Sequence, residues 1–179
     1  MHIKSNASTL SDLHKKKNLL SKYYDLGLKF QSKPLNRIGR RKAVNKKYQV
    51  FVSSTYKDLK EERLAVTQFL LKMGFIPVGM EQFPASNMSQ MEYIKMMLDS
   101  CDYYLLILAG KYGTIDVDGV GFTEKEYDYA IANNIPVMSI LIKDIGKLAS
   151  EKCEETDTGR ALLKSFRDKV SAGKMVDFY

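Results

Sequence analysis

Two glutamates stand where this sequence could present a carboxylate to a ligand. They are Glu124 and Glu126, in the segment GFTEKEYDYA at residues 121–130, whose pattern predicts the start of a helix. An apolar run at residues 136–142 follows and predicts a strand. Helix starts of an α/β sheet lie at its carboxyl edge, where such folds bind ligands. Either carboxylate could therefore act on a bound molecule from this position.

Alternating strand-like and helix-like runs must position these glutamates. The continuous apolar run YYLLILA at 103–109 is typical of a central strand covered on both faces. Amphipathic stretches that separate the strand-like runs predict helices. This alternation predicts an α/β fold with a doubly wound, five-stranded, mostly parallel sheet of flavodoxin-like order 2-1-3-4-5. The strands are expected at residues 48–53, 75–80, 103–109, 137–142 and 175–179.

Three of the predicted helices begin with one pattern, a Ser or Thr followed three residues later by an acid. In a capping box of this kind, the hydroxyl and the acid bond the first backbone amides of the helix. Glu126 therefore has an alternative role, in which it bonds back to the Thr123 amide instead of facing a ligand. The pattern occurs at Thr55 and Asp58, at Ser89 and Glu92, and at Thr123 and Glu126.

Two loops border the crevice expected between strands one and three. Their hydroxyls and a helix N-terminus could hold phosphate or ribose oxygens, and their glycines let the backbone approach a ligand. For Ser53 to Thr55, ordinary helix capping by Thr55 remains open. Tyr112 could stack on a base or cover the sheet end. The loops are Ser53-Ser54-Thr55-Tyr56 and Gly110-Lys111-Tyr112-Gly113-Thr114.

Other charged residues are weaker candidates for ligand binding or catalysis. Glu81, at the end of the second strand, could bond a ribose or remain a solvated loop carboxylate. Glu62 and Arg63 are expected to form a surface pair rather than a phosphate clamp. The two histidines, His2 and His14, precede the domain, so no catalytic histidine is predicted within it. Neither a GxGxxG loop nor a Walker loop occurs, which argues against hydride transfer and ATP hydrolysis.

The formal net charge of +7 is unevenly distributed. Residues 1–47 carry 13 basic and 2 acidic residues, a net charge of +11, whereas residues 48–179 carry 15 and 19, a net charge of −4. We therefore predict a basic N-terminal extension over 1–47, with a short helix and a linker, and an α/β domain over 48–179. The extension would be a solvated leader, or it would contact RNA, DNA or a partner protein.

Several common features do not occur in the sequence. No apolar run reaches the length of a membrane span, and the N-terminus is unlike a signal peptide. Cys101 and Cys153 lack CxxC spacing and a nearby histidine cluster. We expect a soluble, cytoplasmic protein without membrane contact, with a buried and reduced Cys101, no metal site and no prosthetic group.

A set of short motifs makes residues 48–179 resemble the DUF4062 family. That family is similar in fold to TIR domains and to nucleoside 2-deoxyribosyltransferases, and it occurs in bacterial defence proteins and in NACHT or repeat-containing signalling proteins. The resemblance implies nucleotide-linked chemistry or signalling assembly. The motifs are VFVSSTYKDL at 50–59, Glu62-Arg63, PVGMEQFPAS at 77–86, DYY at 102–104, KYG at 111–113, TEKEYDYA at 123–130 and IPV at 135–137.

The resemblance bears on Glu126 above all, with Glu124 as the runner-up. The relatives carry a glutamate in the pattern Glu-x-x-Tyr-Ala, ten residues before a proline, and Glu126 matches it with Tyr129 and Pro136. This implies a carboxylate that stabilises or captures the oxocarbenium-like state when the N-glycosidic bond of NAD, or of a related nucleotide, is cleaved. The leaving nicotinamide needs no general acid.

Two other functions remain open at this stage. The domain could be a non-catalytic module for homotypic assembly, or a deoxyribosyltransferase-like hydrolase acting on deoxynucleotides. A homo-oligomer or a separate regulatory partner is expected. Because the chain ends at the fifth strand, where related domains place another helix, either a partner chain covers that edge or the chain is a shortened form. The expected ligand-binding residues are Ser53, Ser54, Thr55, Tyr56, Glu81, Phe83, Gly110, Lys111, Tyr112 and Gly113.

Overall fold

Five short strands alternate with helices along the chain. The computed structural model describes residues 46–79, 89–173 and 176–178. The chain divides into two units, Met1–Lys46 and Lys47–Tyr179, and the described elements all belong to the second. They are β1 Gln49–Ser54, α1 Lys60–Lys72, β2 Ile76–Val78, α2 Gln90–Ser100, β3 Tyr103–Leu108, α3 Phe122–Ala132, β4 Val137–Leu141, α4 Asp157–Ser171 and β5 Val176–Phe178, with 3₁₀ turns at Ile145–Lys147 and Ser150–Lys152.

The strands form one sheet of order β2-β1-β3-β4-β5. Every neighbouring pair is parallel, and the register places Val52 beside Leu105 and Leu105 beside Met138. The predicted doubly wound, flavodoxin-like α/β sheet is thereby confirmed. In this order the chain reverses its direction of winding between β1 and β3, so the carboxyl ends of these strands border the crevice.

The central position of β3 follows from its composition. Residues 104–108 are all buried, as expected for a strand that other layers cover on both faces. One buried apolar cluster joins β3 to Leu98 of α2, Ala130 of α3 and Phe166 of α4. Helix α1 buries its own stripe at Val66, Phe69 and Leu70. The core therefore holds α3, with its two glutamates, against the sheet.

The helix starts differ from one another more than their sequences suggest. Helix α2 begins with the predicted capping box, formed by Ser89 and Glu92. Helix α1 instead begins after the N-cap residue Leu59, without a side-chain cap. Helix α3 begins after Gly121, also without a side-chain cap. The predicted caps at Thr55 and Thr123 are therefore wrong, because α1 starts five residues after Thr55 and Thr123 lies inside α3.

Some expectations lie outside the described residues. These are the helix and linker predicted before residue 46, and the ligand contacts of Glu81 and Phe83. Cys101 and Cys153 are both free and half-buried, so Cys101 is less buried than we expected; its partial burial raises the pKa of its thiol to about 11. Among the helices that the structure describes, none combines the length and apolar character needed to cross a membrane.

Candidate functional site

A buried pair, Ser53 and Glu126, lies at the carboxyl end of β1. The Ser53 side chain is 2% exposed and Glu126 is 5% exposed. The Ser53 hydroxyl donates a short hydrogen bond to Oε2 of Glu126. Glu126 occupies the second turn of α3, and its bond to Ser53 ties this turn to the end of β1.

Tyr104 places a phenol beside this pair. The side chain is fully buried in β3, the strand paired with β1, and its hydroxyl lies 3.4 Å from the carbonyl oxygen of Thr123. Burial raises the pKa of Tyr104 well above its ordinary value, and the charge of Glu126 raises it further. The phenol therefore stays protonated at neutral pH. The site combines one carboxylate with two hydroxyl groups in a poorly solvated place.

Glu124 lies in a separate network. Its Oε2 accepts a 2.6 Å hydrogen bond from the Tyr112 hydroxyl, and its Oε1 pairs with Lys169 of α4. Lys169 also reaches Asp128, at 3.0 Å. Because side chains two apart on a helix point to nearly opposite faces, Glu124 is held toward α4 while Glu126 is held toward β1. The structure thus separates the two candidate carboxylates.

Tyr112 is part of the core rather than an open platform. It is 2% exposed, and its ring meets Phe166 edge-on at 6.3 Å between centroids. Its hydroxyl accepts a 3.0 Å hydrogen bond from the Gly121 amide as well as donating to Glu124. Burial, followed by the bond to Glu124, raises the pKa of Tyr112. Of the two roles left open for this ring, covering the sheet end is the one that its position fits.

Gly110 and Gly113 make room for protein atoms. A side chain at Gly113, where φ is +95°, would meet the Thr55 methyl at 2.8 Å. A side chain at Gly110 would collide with the carbonyl oxygen of Lys152 and with Leu148. We expected the backbone at these glycines to approach a ligand. It approaches the β1–α1 loop and the segment before α4 instead, which closes the two loops on each other.

Ser54 and Arg63 are joined across the start of α1. Nη1 of Arg63 donates to the Val52 carbonyl oxygen and to the Ser54 hydroxyl, each at 3.0 Å. Arg63 is buried, so the expectation of a surface pair with Glu62 is wrong. Glu62 instead lies 3.5 Å from Nζ of Lys152. The guanidinium thereby fixes the chain at the end of β1.

The remaining loop candidates are more exposed. Tyr56 is 59% exposed, and Nζ of Lys60 lies 5.0 Å from the centre of its ring. Nζ of Lys111 lies 3.8 Å from Oε1 of Glu155. Tyr56 also borders a cleft of about 330 Å³ between α1 and β2, which the sequence did not predict. Its lining residues are Val52, Tyr56, Lys60, Arg63, Leu64, Thr67, Pro77, Val78 and Gly79.

Two contributors to the Ser53–Glu126 site were not anticipated. The Tyr104 phenol sits within an apolar run, and a polar group inside such a run must find a partner, which is the signal that could have identified it. Arg63 gave no such signal, since buried and exposed arginines look alike in a helical pattern. Within the described ranges, no group of three or more His, Cys, Asp and Glu side chains is arranged to hold a metal ion.

The sheet order and the buried pair at its switch point define a doubly wound α/β domain with a candidate ligand site at the carboxyl end of β1. This chain belongs to the DUF4062 family: the model described as "Domain of unknown function (DUF4062)" matches residues 49–179. No curated protein matches the chain.

The chain is also similar to a solved structure that contains TIR domains, the activated Roq1 resistosome directly recognizing the pathogen effector XopQ. The two are 9% identical in sequence, with a TM-score of 0.45. The matched region covers 70% of this chain and 74% of the other.

Proposed function

We propose that this domain cleaves the N-glycosidic bond of NAD or of a related nucleotide, and that it does so in defence or signalling. The observation that carries the proposal is the Glu126 carboxylate. It is buried at the switch point of a parallel sheet, it bonds the Ser53 hydroxyl, and it caps no helix. A carboxylate in such a poorly solvated place interacts strongly with a positive charge that develops beside it.

The reaction requires little beyond such a group. The bond between C1′ of the ribose and the nicotinamide nitrogen breaks, and its electron pair returns to the cationic ring, which leaves as neutral nicotinamide. Glu126 stabilises the oxocarbenium-like sugar by charge, or captures it as an ester. A water oxygen then bonds to C1′ and releases a proton to solvent; where the ester has formed, its bond from C1′ to the Glu126 oxygen breaks and the electron pair returns to the carboxylate. No acid is needed to protonate the leaving group.

Activation by assembly fits the burial of Glu126. In the arrangement described here Ser53 occupies one carboxylate oxygen, so a substrate reaches Glu126 only after the β1–α1 segment and α3 separate locally. Contact with further copies of the chain, or with a regulatory partner, would supply the free energy for that separation. The active form is therefore proposed to be an oligomer.

The experiment that tests this proposal is an NAD cleavage assay at high protein concentration. We expect nicotinamide release, measured by chromatography, and we expect Glu126→Gln to lower the rate by roughly 10²-fold or more. Glu92→Gln is the matched control, because Glu92 also stands near a helix start but serves only the cap of α2. Release that survives Glu126→Gln removes this residue from the mechanism. Deoxynucleotides in the same assay test the deoxyribosyl-hydrolase alternative.

The same burial favours a second candidate, a non-catalytic module for homotypic assembly. A carboxylate that is 5% exposed and already bonded to Ser53 can also serve to fix α3 on β1. This candidate predicts no turnover of any nucleotide in any oligomeric state. It also predicts that Glu126→Gln changes only the stability of the domain.

A further inference from the structure

The segment from the end of β1 to the first turn of α1 contains four unusual oxygen atoms. They are the buried side-chain oxygens that have no hydrogen-bond partner among the residues that the structure describes: Oγ1 of Thr55, both carboxylate oxygens of Asp58, and Oε2 of Glu62. Asp58 is only 4% exposed. A buried acceptor without a donor is strongly unfavourable, and proteins keep few of them. Such atoms on three neighbouring residues therefore indicate a function.

Helix capping does not account for Asp58. Helix α1 begins after Leu59 and has no side-chain cap, although Asp58 immediately precedes that residue. By contrast, Glu92 at the start of α2 accepts hydrogen bonds from both the amide and the hydroxyl of Ser89. The acid before α1 is thus buried more deeply than the acid at α2 and has no capping bond.

The first of these three residues, Thr55, lies near the Glu126 site. Thr55 follows Ser53 by two residues, and its methyl group packs at the position that a side chain on Gly113 would take. The Thr123 hydroxyl lies 4.0 Å from that same position, three residues before Glu126. Local separation of the β1–α1 segment from the Gly113 loop would therefore uncover Thr55 beside Glu126.

We propose that Thr55, Asp58 and Glu62 bind the hydroxyl groups of a ribose. Carboxylates accept hydrogen bonds and donate none, so their complement is a ligand rich in donors, such as a vicinal diol. In dinucleotide-binding α/β sheets an acidic side chain bonds the ribose 2′-hydroxyl in this way. This inference rests on the proposed function, because the ribose is the sugar whose bond to the base Glu126 would cleave.

The test is a titration of the full chain with three nucleosides that share one base: adenosine, 2′-deoxyadenosine and 2′,3′-dideoxyadenosine. Calorimetry or NMR shifts give the affinities. We expect each lost hydroxyl to weaken binding by roughly tenfold, because each loss leaves an acceptor unpaired. Equal affinity for the three nucleosides, or no binding of any at millimolar concentration, overturns the proposal.

Substitution of Asp58 tests whether this residue causes the differences among the three nucleosides. Asp58→Asn replaces one acceptor by a donor, and we expect the difference among the three nucleosides to shrink to less than about threefold. Because no bond to Asp58 is broken, we also expect an unchanged or higher Tm. If this variant fails to fold, Thr55→Val is titrated in its place, and we expect the same reduction in the differences in affinity among the three nucleosides. Glu92→Gln is the control and should keep the wild-type differences.

Further outcomes separate the possible explanations of the unpartnered oxygens. If Mg²⁺ alone raises the Tm and Asp58→Asn abolishes that effect, the acceptors bind a cation and the proposal is overturned. NAD cleavage without nucleoside discrimination removes only the ribose site, whereas discrimination without cleavage keeps this site and removes the proposed function.

Discussion

Helices α2 and α3 begin with the same sequence pattern and use it in opposite ways. At α2, Ser89 and Glu92 bond each other's backbone and form a complete cap. At α3 the helix starts earlier, at Phe122, and Glu126 bonds Ser53 instead. The two helix starts indicate that this pattern becomes a cap only where no tertiary partner competes for the acid. A glutamate that bonds another element instead of its own helix start is therefore a candidate catalytic residue.

The surroundings explain the different outcomes. Ser89 and Glu92 lie at an exposed helix start, so the nearest partners of each side chain are in the same turn. The start of α3 lies against the sheet and against Tyr112, whose hydroxyl accepts a hydrogen bond from the Gly121 amide. Burial raises the energetic cost of an unpaired carboxylate, and so the hydroxyl at the end of β1 outweighs a local cap.

The largest expected effect comes from removing the partner of Glu126. Ser53→Ala deletes the hydroxyl that bonds the buried carboxylate, and we expect the free energy of unfolding to fall by about 1–3 kcal/mol. Urea unfolding monitored by circular dichroism measures it. A double-mutant cycle with Glu126→Gln should give a coupling energy between the two side chains. Additive effects of the two substitutions would mean that the pair makes no net interaction.

A smaller effect is expected at α2. Ser89→Ala removes the cap and should lower the free energy of unfolding by about 1 kcal/mol. Hydrogen bonds from the Ser89 side chain and then its backbone lower the pKa of Glu92 below its ordinary value of 4.5. A lowered pKa in the folded state means that Glu92 contributes stability above pH 4.5 and loses it as the pH falls further. The stability difference between wild type and Glu92→Gln should therefore vanish in that acidic range.

The smallest effect is expected at Thr123. Thr123 is buried inside α3, its hydroxyl caps no amide, and valine has nearly the same shape. Thr123→Val should therefore change the free energy of unfolding by less than about 0.5 kcal/mol. The same unfolding experiment measures this change beside Ser89→Ala. A loss as large as that of the α2 cap would show that Thr123 does cap the helix, and the contrast between the two helix starts would disappear.

The sheet could be predicted because its signals are local and repeated. The apolar run that forms β3 and the spacing of the helices indicate one parallel order. The described strands begin and end within two residues of the predicted positions. The capping box at Ser89 was predicted for the same reason, since all its atoms lie within one turn.

The site was less predictable because its contacts join distant parts of the chain. Ser53 and Glu126 are 73 residues apart, and Tyr112 meets Glu154 across 42 residues. The sequence indicates that Glu126 is unusual, but no local pattern reveals that Tyr112 packs against Phe166 or that Gly113 receives the Thr55 methyl. Arg63 had the pattern of an exposed helical residue, and only its bonds to the end of β1 distinguish it.

The ties of α3 to its neighbours have a kinetic consequence. On one side, Lys169 of α4 bonds Glu124 and Asp128 of α3. On the other side, the Tyr129 hydroxyl of α3 donates a 2.8 Å hydrogen bond to Asp99 of α2. A helix clamped on two sides opens slowly, and its amides should exchange with deuterium late. The segment after β1 has fewer such clamps, with its main tie at Arg63. Opening of that short segment, rather than any tilt of α3, would set how often per second Glu126 meets solvent.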